Sequence, residues 1–149
     1  MRRKSREMVV QALYQLALSG GSITATEQQF ITEGGMKKAD SGYFHDLLYG
    51  IAKNMKTLDD HVSSLLDRPF NQLDPVEVAI LRLGCFELLY RTDIPYRVII
   101  NESIEIAKLF GAQDSHKYIN GILDKLAVQI RKEEVAAFTA RWKTAQSKT

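Results

Sequence analysis

The stretch LDPVEVAILRLGCFELLYR, residues 73–91, decides the fold. It opens with a helix-start signal: Asp74 can cap the helix, Pro75 fits the first helical position, and Glu77 can bond back to the cap. The residues that follow are apolar on two opposed faces. A helix of this kind is buried on both faces, so we expect it to form the centre of the domain and to run to about Arg91.

Helical periodicity continues toward the N-terminus. We expect a first helix over about residues 5–18, ended by the Gly-Gly pair that follows. Thr24 and Glu27 have the spacing of a capping box, which predicts a short second helix. Apolar residues then recur at helical spacing from about Ser41 until Pro69 ends the pattern.

The same periodicity continues toward the C-terminus. A helix should follow Pro95 and end at Gly111, where glycine suits a left-handed C-cap. The last main helix should start near Asp114 or Ser115, and a further helical pattern follows Arg131. The sequence therefore predicts an all-α bundle of about seven helices, arranged as two small sub-bundles that share the central buried helix. We expect residues 1–131 to form this domain and residues 132–149 to form a C-terminal extension.

Charge is distributed unevenly along the 149 residues. The formal net charge is only +2, but residues 1–6 carry +4 and residues 141–149 carry +3 without any acid. The segment between them therefore carries −5. An acidic body with basic ends indicates local contacts to a polyanion rather than a basic surface on every side.

Several function classes need residues or segments that this sequence lacks. Cys85 is the only cysteine, and its apolar neighbours predict a buried, inert thiol. The three histidines lack metal-ligand spacing, so we expect no metal and no cofactor. No apolar run approaches the length of a membrane span, and the basic start lacks the apolar core of a secretory signal. We therefore expect a soluble cytoplasmic protein that does not contact membranes.

Two helix faces are left over once the core is assigned. At 100° per residue, four positions of the first helix fall within about 80° of one another: Arg3, Arg6, Val10 and Tyr14. Five positions of the last main helix lie opposite its core residues: Asp114, Lys117, Tyr118, Gly121 and Lys125. Aromatic rings stack on unpaired bases and cations neutralise phosphates, so both faces suit single-stranded RNA. Two other interpretations stay open: the basic terminus as a solvated tail, and Tyr118 covered by the residues after Arg131.

Four stretches make a family resemblance visible: RRKSREMVVQALYQ (2–15), YFHDLLYGI (43–51), the central helix (73–91) and IPYRVIINESIEIAKLFGAQDSHKYINGILDKL (94–126). The chain resembles the NusB family of bacterial transcription antitermination factors over about residues 2–130. The resemblance implies an all-helical protein that is not an enzyme. It also implies pairing with ribosomal protein NusE and binding of boxA RNA in ribosomal RNA leaders. Other Nus factors and RNA polymerase are implied as indirect partners.

The resemblance also implies roles for particular residues. An acidic position of the central helix, Glu77, and an Asp that precedes the last main helix, Asp114, fall on the partner-binding side. The RNA-binding residues that it implies are Arg2, Arg3, Lys4, Arg6, Tyr14, Lys117 and Tyr118. The tail over residues 132–149 is atypical of the family, and the sequence does not choose among packing, RNA contact and self-association for it. Whether the chain alone is a monomer or a homodimer, and whether Asp114 contacts RNA or NusE, also stays open.

Two other function classes were compared with this one. NusB-like domains also occur fused to ribosomal RNA cytosine methyltransferases, so a stand-alone RNA-binding domain of that kind is an alternative. A methyltransferase itself would need a cofactor-binding α/β domain with a glycine-rich loop, for which this chain has no motif. A helix-turn-helix DNA reader would need polar and basic residues at the start of its recognition helix, whereas the helix after Pro75 begins Val-Glu-Val-Ala-Ile.

Overall fold

The fold was analysed in a computed structural model that describes residues 1–147. Over these residues the protein is all-α, with eight α-helices, two short 3₁₀ turns and no strand. The helices are α1 Arg2–Ser19, α2 Ile23–Thr32, α3 Ser41–Lys53, α4 Met55–Ser63, α5 Pro75–Tyr90, α6 Tyr96–Phe110, α7 Ser115–Ile130 and α8 Lys132–Ser147. The predicted fold class is confirmed. None of the helices over residues 1–147 combines the length and the apolar character that a membrane span requires.

Helix α5 is the centre of the bundle. It packs against α1, α3 and α4 on one side and against α6 and α7 on the other, so two groups of helices share it as expected. Its apolar residues on both faces are buried, including Leu81 and Leu88. Gly84 allows the close approach of α7, because a Cβ at this position would lie 2.8 Å from a methyl carbon of Leu123.

The N-terminal end of α5 is closed by the signal that the sequence contains. An Asp74 carboxylate oxygen accepts a hydrogen bond from the Val76 N–H at 2.8 Å. The Glu77 carboxylate accepts one from the Asp74 N–H at 3.3 Å. The predicted capping box is therefore formed.

The C-terminal end of α5 is closed by a side chain from the other end of the domain. The buried Arg131 guanidinium donates to the carbonyl oxygens of Leu88 at 2.8 Å, Arg91 at 2.9 Å and Ile94 at 2.9 Å. It also donates to the Glu87 carbonyl at 3.3 Å. The last carbonyls of a helix lack donors within it and carry partial negative charge. A buried cation supplies both the missing hydrogen bonds and the opposite charge.

Two predicted caps are wrong. Ser22, not Thr24, caps α2, and its hydroxyl accepts from the Ala25 N–H at 3.0 Å. Gly111 is extended (φ −83°, ψ 169°), so it is not a left-handed C-cap. The left-handed residue of that connection is Asp114 (φ 68°), since aspartate tolerates this conformation better than most residues with a side chain.

The first half of α8 packs on the bundle. The Glu134 carboxylate accepts from the Tyr96 N–H at 2.8 Å and from Arg131 at 2.7 Å. The Phe138 ring meets the Tyr96 ring edge-on, with 6.2 Å between centroids. Trp142, one turn further, is 54% exposed. Of the three roles left open for this tail, the structure therefore shows packing on the bundle. Lys148, one of the three cations of residues 141–149, lies outside the described residues.

Candidate nucleic-acid interface

The cationic N-terminus is the beginning of α1 and is attached to the bundle. The Ser5 hydroxyl is buried, donates to the Asp40 carbonyl at 2.7 Å and accepts from the Asp40 N–H at 2.8 Å. These bonds connect the first turn of α1 to the cap of α3. The structure therefore favours an ordered basic helix end over a solvated tail.

Arg6 lies in the core rather than on the surface. It is 4% exposed, and its guanidinium forms an ion pair with the buried Glu87 carboxylate at 2.9 Å. Burial disfavours its charge, but the hydrogen bond and charge of Glu87 outweigh burial and raise the pKa of Arg6. The expected exposed face through Arg3, Arg6, Val10 and Tyr14 is wrong, because α1 packs on both α3 and α5 and buries Arg6 and Val10 as well.

Tyr43 is the aromatic ring that borders the guanidinium groups. Arg2, Arg91 and Arg6 lie 4.5, 4.8 and 5.5 Å from its ring centroid. Its hydroxyl donates to Glu87, and burial together with that carboxylate raises the pKa of Tyr43. The ring was expected to be Tyr14. Sequence reasoning missed Tyr43 and Arg91, although both lie in stretches that carry the family resemblance.

Three cations at this helix end face solvent at least in part. Arg2 is exposed and Lys4 is partly exposed. The Arg3 side chain is 61% exposed and holds Glu102 of α6 through two hydrogen bonds of 2.8 and 3.2 Å. Those bonds raise the pKa of Arg3. Charged donors therefore remain available to an anion at this end of α1. We call Arg2, Arg3 and Lys4 the basic arm.

Tyr14 lies far from the basic arm. Helix α1 brings it to the other end of α5, where it is 38% exposed beside an apolar groove of about 700 Å³. The groove is lined by Val10, Gln11, Tyr14, Gln15, Leu18, Ser19, Phe30, Val76 and Phe110. An aromatic ring on the rim of an apolar groove suits a partner surface as well as a base.

Glu77 lies close to this groove and connects two helix starts. One of its oxygens belongs to the capping box, and the other accepts from the Ser115 hydroxyl at 2.9 Å. Asp114 precedes Ser115 and is exposed, with its carboxylate 3.3 Å from the Lys117 ammonium. The structure thus brings the two sequence-predicted carboxylates to one end of the bundle, with Glu77 engaged internally and Asp114 accessible.

Tyr118 is half-buried and is bound by residues that the sequence did not indicate. Its hydroxyl donates to the Asp67 carboxylate at 3.0 Å, and the Arg68 guanidinium lies 5.1 Å from its ring centroid. Arg68 also pairs with Asp67 at 2.8 Å. Hydrogen bonds from Arg68 and Tyr118 lower the pKa of Asp67 to about 2. The groups that hold Tyr118 therefore come from the segment after α4, whereas α8 packs on Tyr96.

The predicted site residues thus fall into two groups. Arg2 of the basic arm packs on Tyr43, which bonds to Glu87 near the C-terminal end of α5. Tyr14 and Tyr118 lie toward Glu77, at its N-terminal end. The two glutamates are roughly 15 Å apart at the rise of an α-helix.

Metal-binding groups and the single thiol were the remaining chemical candidates. Residues 1–147 hold no group of three or more His, Cys, Asp or Glu side chains that could bind a metal. Cys85 is buried, as predicted, and burial raises the pKa of its thiol to about 12, which keeps it protonated and unreactive. Cations, aromatic rings and carboxylates are the chemical groups that the site presents.

Comparison with known proteins identifies the family and the fold. The profile of the NusB family matches residues 3–128. The transcription antitermination protein NusB of Alcanivorax borkumensis is 53% identical over 135 residues, which cover 91% of this chain and 90% of that protein. The T. maritima NusB structure shares the fold with a TM-score of 0.76 and 36% identity, and the match covers 91% of this chain and 97% of that one.

A third similarity concerns the fold alone. The crystal structure of antitermination factors NusB and NusE in complex with double-stranded RNA contains a chain that matches with a TM-score of 0.76 and 21% identity. That match covers 83% of this chain and 93% of the other. The family profile spans α1 to α7 and ends before α8. On the profile and the high identity together, the chain belongs to the NusB family.

Proposed function

We propose that this protein is a transcription antitermination factor that binds boxA-type single-stranded RNA together with ribosomal protein NusE. In this role it supports transcription of ribosomal RNA operons in the bacterial cytoplasm, with other Nus factors and RNA polymerase as indirect partners. Family membership supports the proposal, as does the solved assembly of a NusB with NusE and RNA. The observation that carries it is the basic arm, which the bundle presents as an ordered helix end.

The basic arm supplies the phosphate contacts of this proposal. Arg2, Arg3 and Lys4 present charged donors, and the positive end of the α1 dipole lies beneath them. Arg6 holds the helix in place from within the core and does not reach RNA itself. This assignment replaces the expectation that all four cations contact RNA.

The opposite end of α5 provides further contacts. Tyr14, Lys117 and Tyr118 offer aromatic faces and one more cation, and they remain our RNA-binding assignments there. Glu77 and Asp114 belong to the NusE side, because a carboxylate next to RNA is repelled by phosphate. The apolar groove beside Tyr14 is lined in part by Val76, the neighbour of Glu77 in α5, and gives NusE an apolar surface to cover.

A binding role rather than a catalytic one completes the proposal. Its support is chemical: the single thiol is inert, and the perturbed carboxyl group of Asp67 is tied up by Arg68 and Tyr118 on the surface. The protein would then act by assembling with NusE and RNA on RNA polymerase, through the other Nus factors. Incubation with S-adenosylmethionine and RNA should leave the RNA unmethylated.

The test is fluorescence anisotropy of a labelled boxA RNA over a series of salt concentrations, with and without NusE. Three phosphate contacts to single-stranded RNA predict a slope of log affinity against log salt of about −2. Changing Arg2, Arg3 and Lys4 together to Ala should flatten that slope and weaken binding by about 10-fold or more. NusE should tighten binding of the unmodified chain.

A control at two cations away from the arm separates the basic arm from general attraction. Lys53→Ala combined with Lys56→Ala removes two exposed cations of α3 and α4 and should change affinity much less per charge. If the unmodified chain does not bind boxA RNA even with NusE present, the proposal is wrong. RNA binding that NusE leaves unchanged would instead favour the stand-alone RNA-binding domain.

A further inference from the structure

Arg91 lies on the same ring as the first residue of the basic arm. Its guanidinium carbon is 4.8 Å from the Tyr43 centroid, and that of Arg2 is 4.5 Å from it. Tyr43 itself is almost completely buried, so the ring is covered by the groups that pack on it. Two arginines from distant parts of the sequence thus share one aromatic support.

The backbone of Arg91 is held on both sides. Its N–H donates to the Glu87 carbonyl at 3.0 Å, and its own carbonyl accepts from Arg131 at 2.9 Å. The ring of Tyr43 is fixed in turn by its hydroxyl, which donates to the buried Glu87 carboxylate. The guanidinium is therefore supported by an ordered framework, which lowers the entropy that an arginine loses when it binds an anion.

An exposed carboxylate occupies Arg91 in the free protein. Asp93 accepts two hydrogen bonds from Arg91, both of 3.2 Å, and the Asp93 side chain is 60% exposed. These bonds lower the pKa of Asp93, and the charge of Arg2 acts in the same direction, which puts all three groups in one neighbourhood. The parallel donation of two N–H groups to a carboxylate is the geometry with which arginine also binds phosphate.

We propose that Arg91 is a further RNA-binding residue, and that Arg2 and Arg91, both packed on Tyr43, neutralise phosphates of the same RNA strand. Tyr43 is then a positioning residue, and Asp93 is a carboxylate that RNA phosphate displaces from Arg91. This inference rests on the proposed function, since it names further residues of the same RNA surface.

The sharpest test is a gain of affinity, because a gain cannot result from misfolding. Asp93→Asn removes a charge that repels phosphate and frees the Arg91 donors. It should tighten boxA RNA binding about twofold to fivefold, the range for one exposed charge interaction. The matched control is Asp60→Asn, which neutralises an equally exposed, ion-paired aspartate of α4 and should leave affinity unchanged.

Arg91→Ala tests the same contact by loss. It should weaken binding by about 5-fold or more and reduce the magnitude of the salt slope by about 0.7, the value for one phosphate contact to a single strand. Arg91→Lys should restore the slope but only part of the affinity, since lysine keeps the charge and lacks the fork. In the Arg91→Ala background, the gain from Asp93→Asn should shrink.

Tyr43 is tested through its ring and its hydroxyl separately. Tyr43→Phe keeps the ring, so RNA affinity and salt slope should match those of the unmodified chain even where stability falls. Tyr43→Leu removes the ring and should weaken binding as Arg91→Ala does. Both variants are compared at a temperature where far-UV circular dichroism shows native helix content.

The outcomes separate this inference from the function that it builds on. If the unmodified chain binds boxA RNA, and neither Arg91→Ala nor Asp93→Asn changes its affinity or salt slope, Arg91 does not contact RNA and the proposed function stands. If the unmodified chain does not bind the RNA with or without NusE, both proposals are wrong.

Discussion

The two ends of helix α5 are closed by different means. At the N-terminal end, both capping side chains come from the helix start itself. The Asp74 carboxylate accepts from the Val76 N–H, and the Glu77 carboxylate accepts from the Asp74 N–H, so every bond spans at most three residues. At the C-terminal end, Arg131 reaches back to the Leu88 carbonyl from 43 residues further along the chain. Asp74 is exposed, whereas Arg131 is buried.

This difference in burial determines what each end contributes to stability. Water can replace a hydrogen bond to an exposed cap, so the N-terminal capping box contributes about 1 kcal/mol. The Leu88 and Ile94 carbonyl oxygens bond to Arg131 in the buried interior, so each of them carries a desolvation cost of about 1–3 kcal/mol if this donor is lost. We therefore expect the C-terminal end to be the more sensitive of the two.

The functional groups divide along the same axis. The basic arm lies near Glu87, toward the C-terminal end, whereas Glu77 and the accessible Asp114 lie at the N-terminal end. Under the function proposed above, the basic arm binds phosphate at the first end, whereas the second end carries the NusE contacts of Glu77 and Asp114 beside the RNA contacts of Tyr14, Lys117 and Tyr118.

The largest effect should follow from Arg131→Ala. The change leaves four backbone carbonyls and Glu134 without this donor, which should reduce the free energy of unfolding by about 4–5 kcal/mol. Urea denaturation followed by circular dichroism measures it. Arg141→Ala, an exposed arginine of α8, is the control and should change stability by less than about 0.5 kcal/mol. A loss below about 1 kcal/mol for Arg131→Ala would remove the contrast between the two ends.

A slightly smaller loss is expected at the buried pair of Arg6 and Glu87. Glu87→Ala leaves the Arg6 charge buried without a partner and should cost about 3–4 kcal/mol. Replacing the whole network by apolar groups, with Arg6→Met, Glu87→Leu and Tyr43→Phe together, should recover most of this loss.

The triple variant also tests where Arg6 acts. It keeps all three residues of the basic arm and the Tyr43 ring, so it should bind boxA RNA like the unmodified chain. Weaker RNA binding by a triple variant of native stability would place Arg6 in the RNA surface, against its burial in the structure.

A modest effect is expected at the exposed end of α5. Asp74→Ala removes the side-chain acceptor for the Val76 N–H and should cost about 1 kcal/mol in the same urea measurement. Asp74→Asn keeps an acceptor and serves as the control, with a smaller loss. If Asp74→Ala were as costly as Arg131→Ala, burial would not be what distinguishes the two ends.

The smallest effect concerns pH at the N-terminal end. The pKa of Asp67 is about 2, below the ordinary 3.8, because Arg68 and Tyr118 bond to its carboxylate. A lowered pKa in the folded state stabilises the fold above about pH 4, and this contribution disappears as the pH falls toward 2.

An NMR titration of the Asp67 carboxyl carbon measures this pKa directly. Arg68→Ala should raise it more than Tyr118→Phe, since the Arg68 hydrogen bond is the larger cause. A midpoint near 3.8 in the unmodified chain would show that Asp67 does not hold Tyr118 in solution.

Much of the fold followed from local patterns. The two apolar faces of residues 75–90 predicted the central helix, and Asp-Pro-x-Glu predicted its first residue, because both signals act within a few residues. A local pattern does not choose between two hydroxyls near one helix start: Ser22 caps α2, although Thr24 has the same chemistry. Gly111 shows that a glycine permits a left-handed cap without requiring one.

The candidate site was predicted less completely than the fold. A helical wheel placed Arg6 on the surface, because it cannot tell how many neighbours a helix has. Helix α1 packs on both α3 and α5, which buries a wider arc of it. Tyr43 and Arg91 were not predicted, because the Tyr43 ring, Arg2 and Arg91 are far apart in sequence and meet only in the folded protein.

By itself, the sequence determined the fold class, the central helix, the cationic start of α1 and the family, since these depend on residue type and short-range spacing. The tertiary structure decided which of those cations face solvent, which ring supports them and which arginine closes α5. These are outcomes of burial, and a charge is tolerated in the core only where a partner pairs with it or hydrogen-bonds to it. Glu87 for Arg6, and the carbonyls of α5 for Arg131, are such partners.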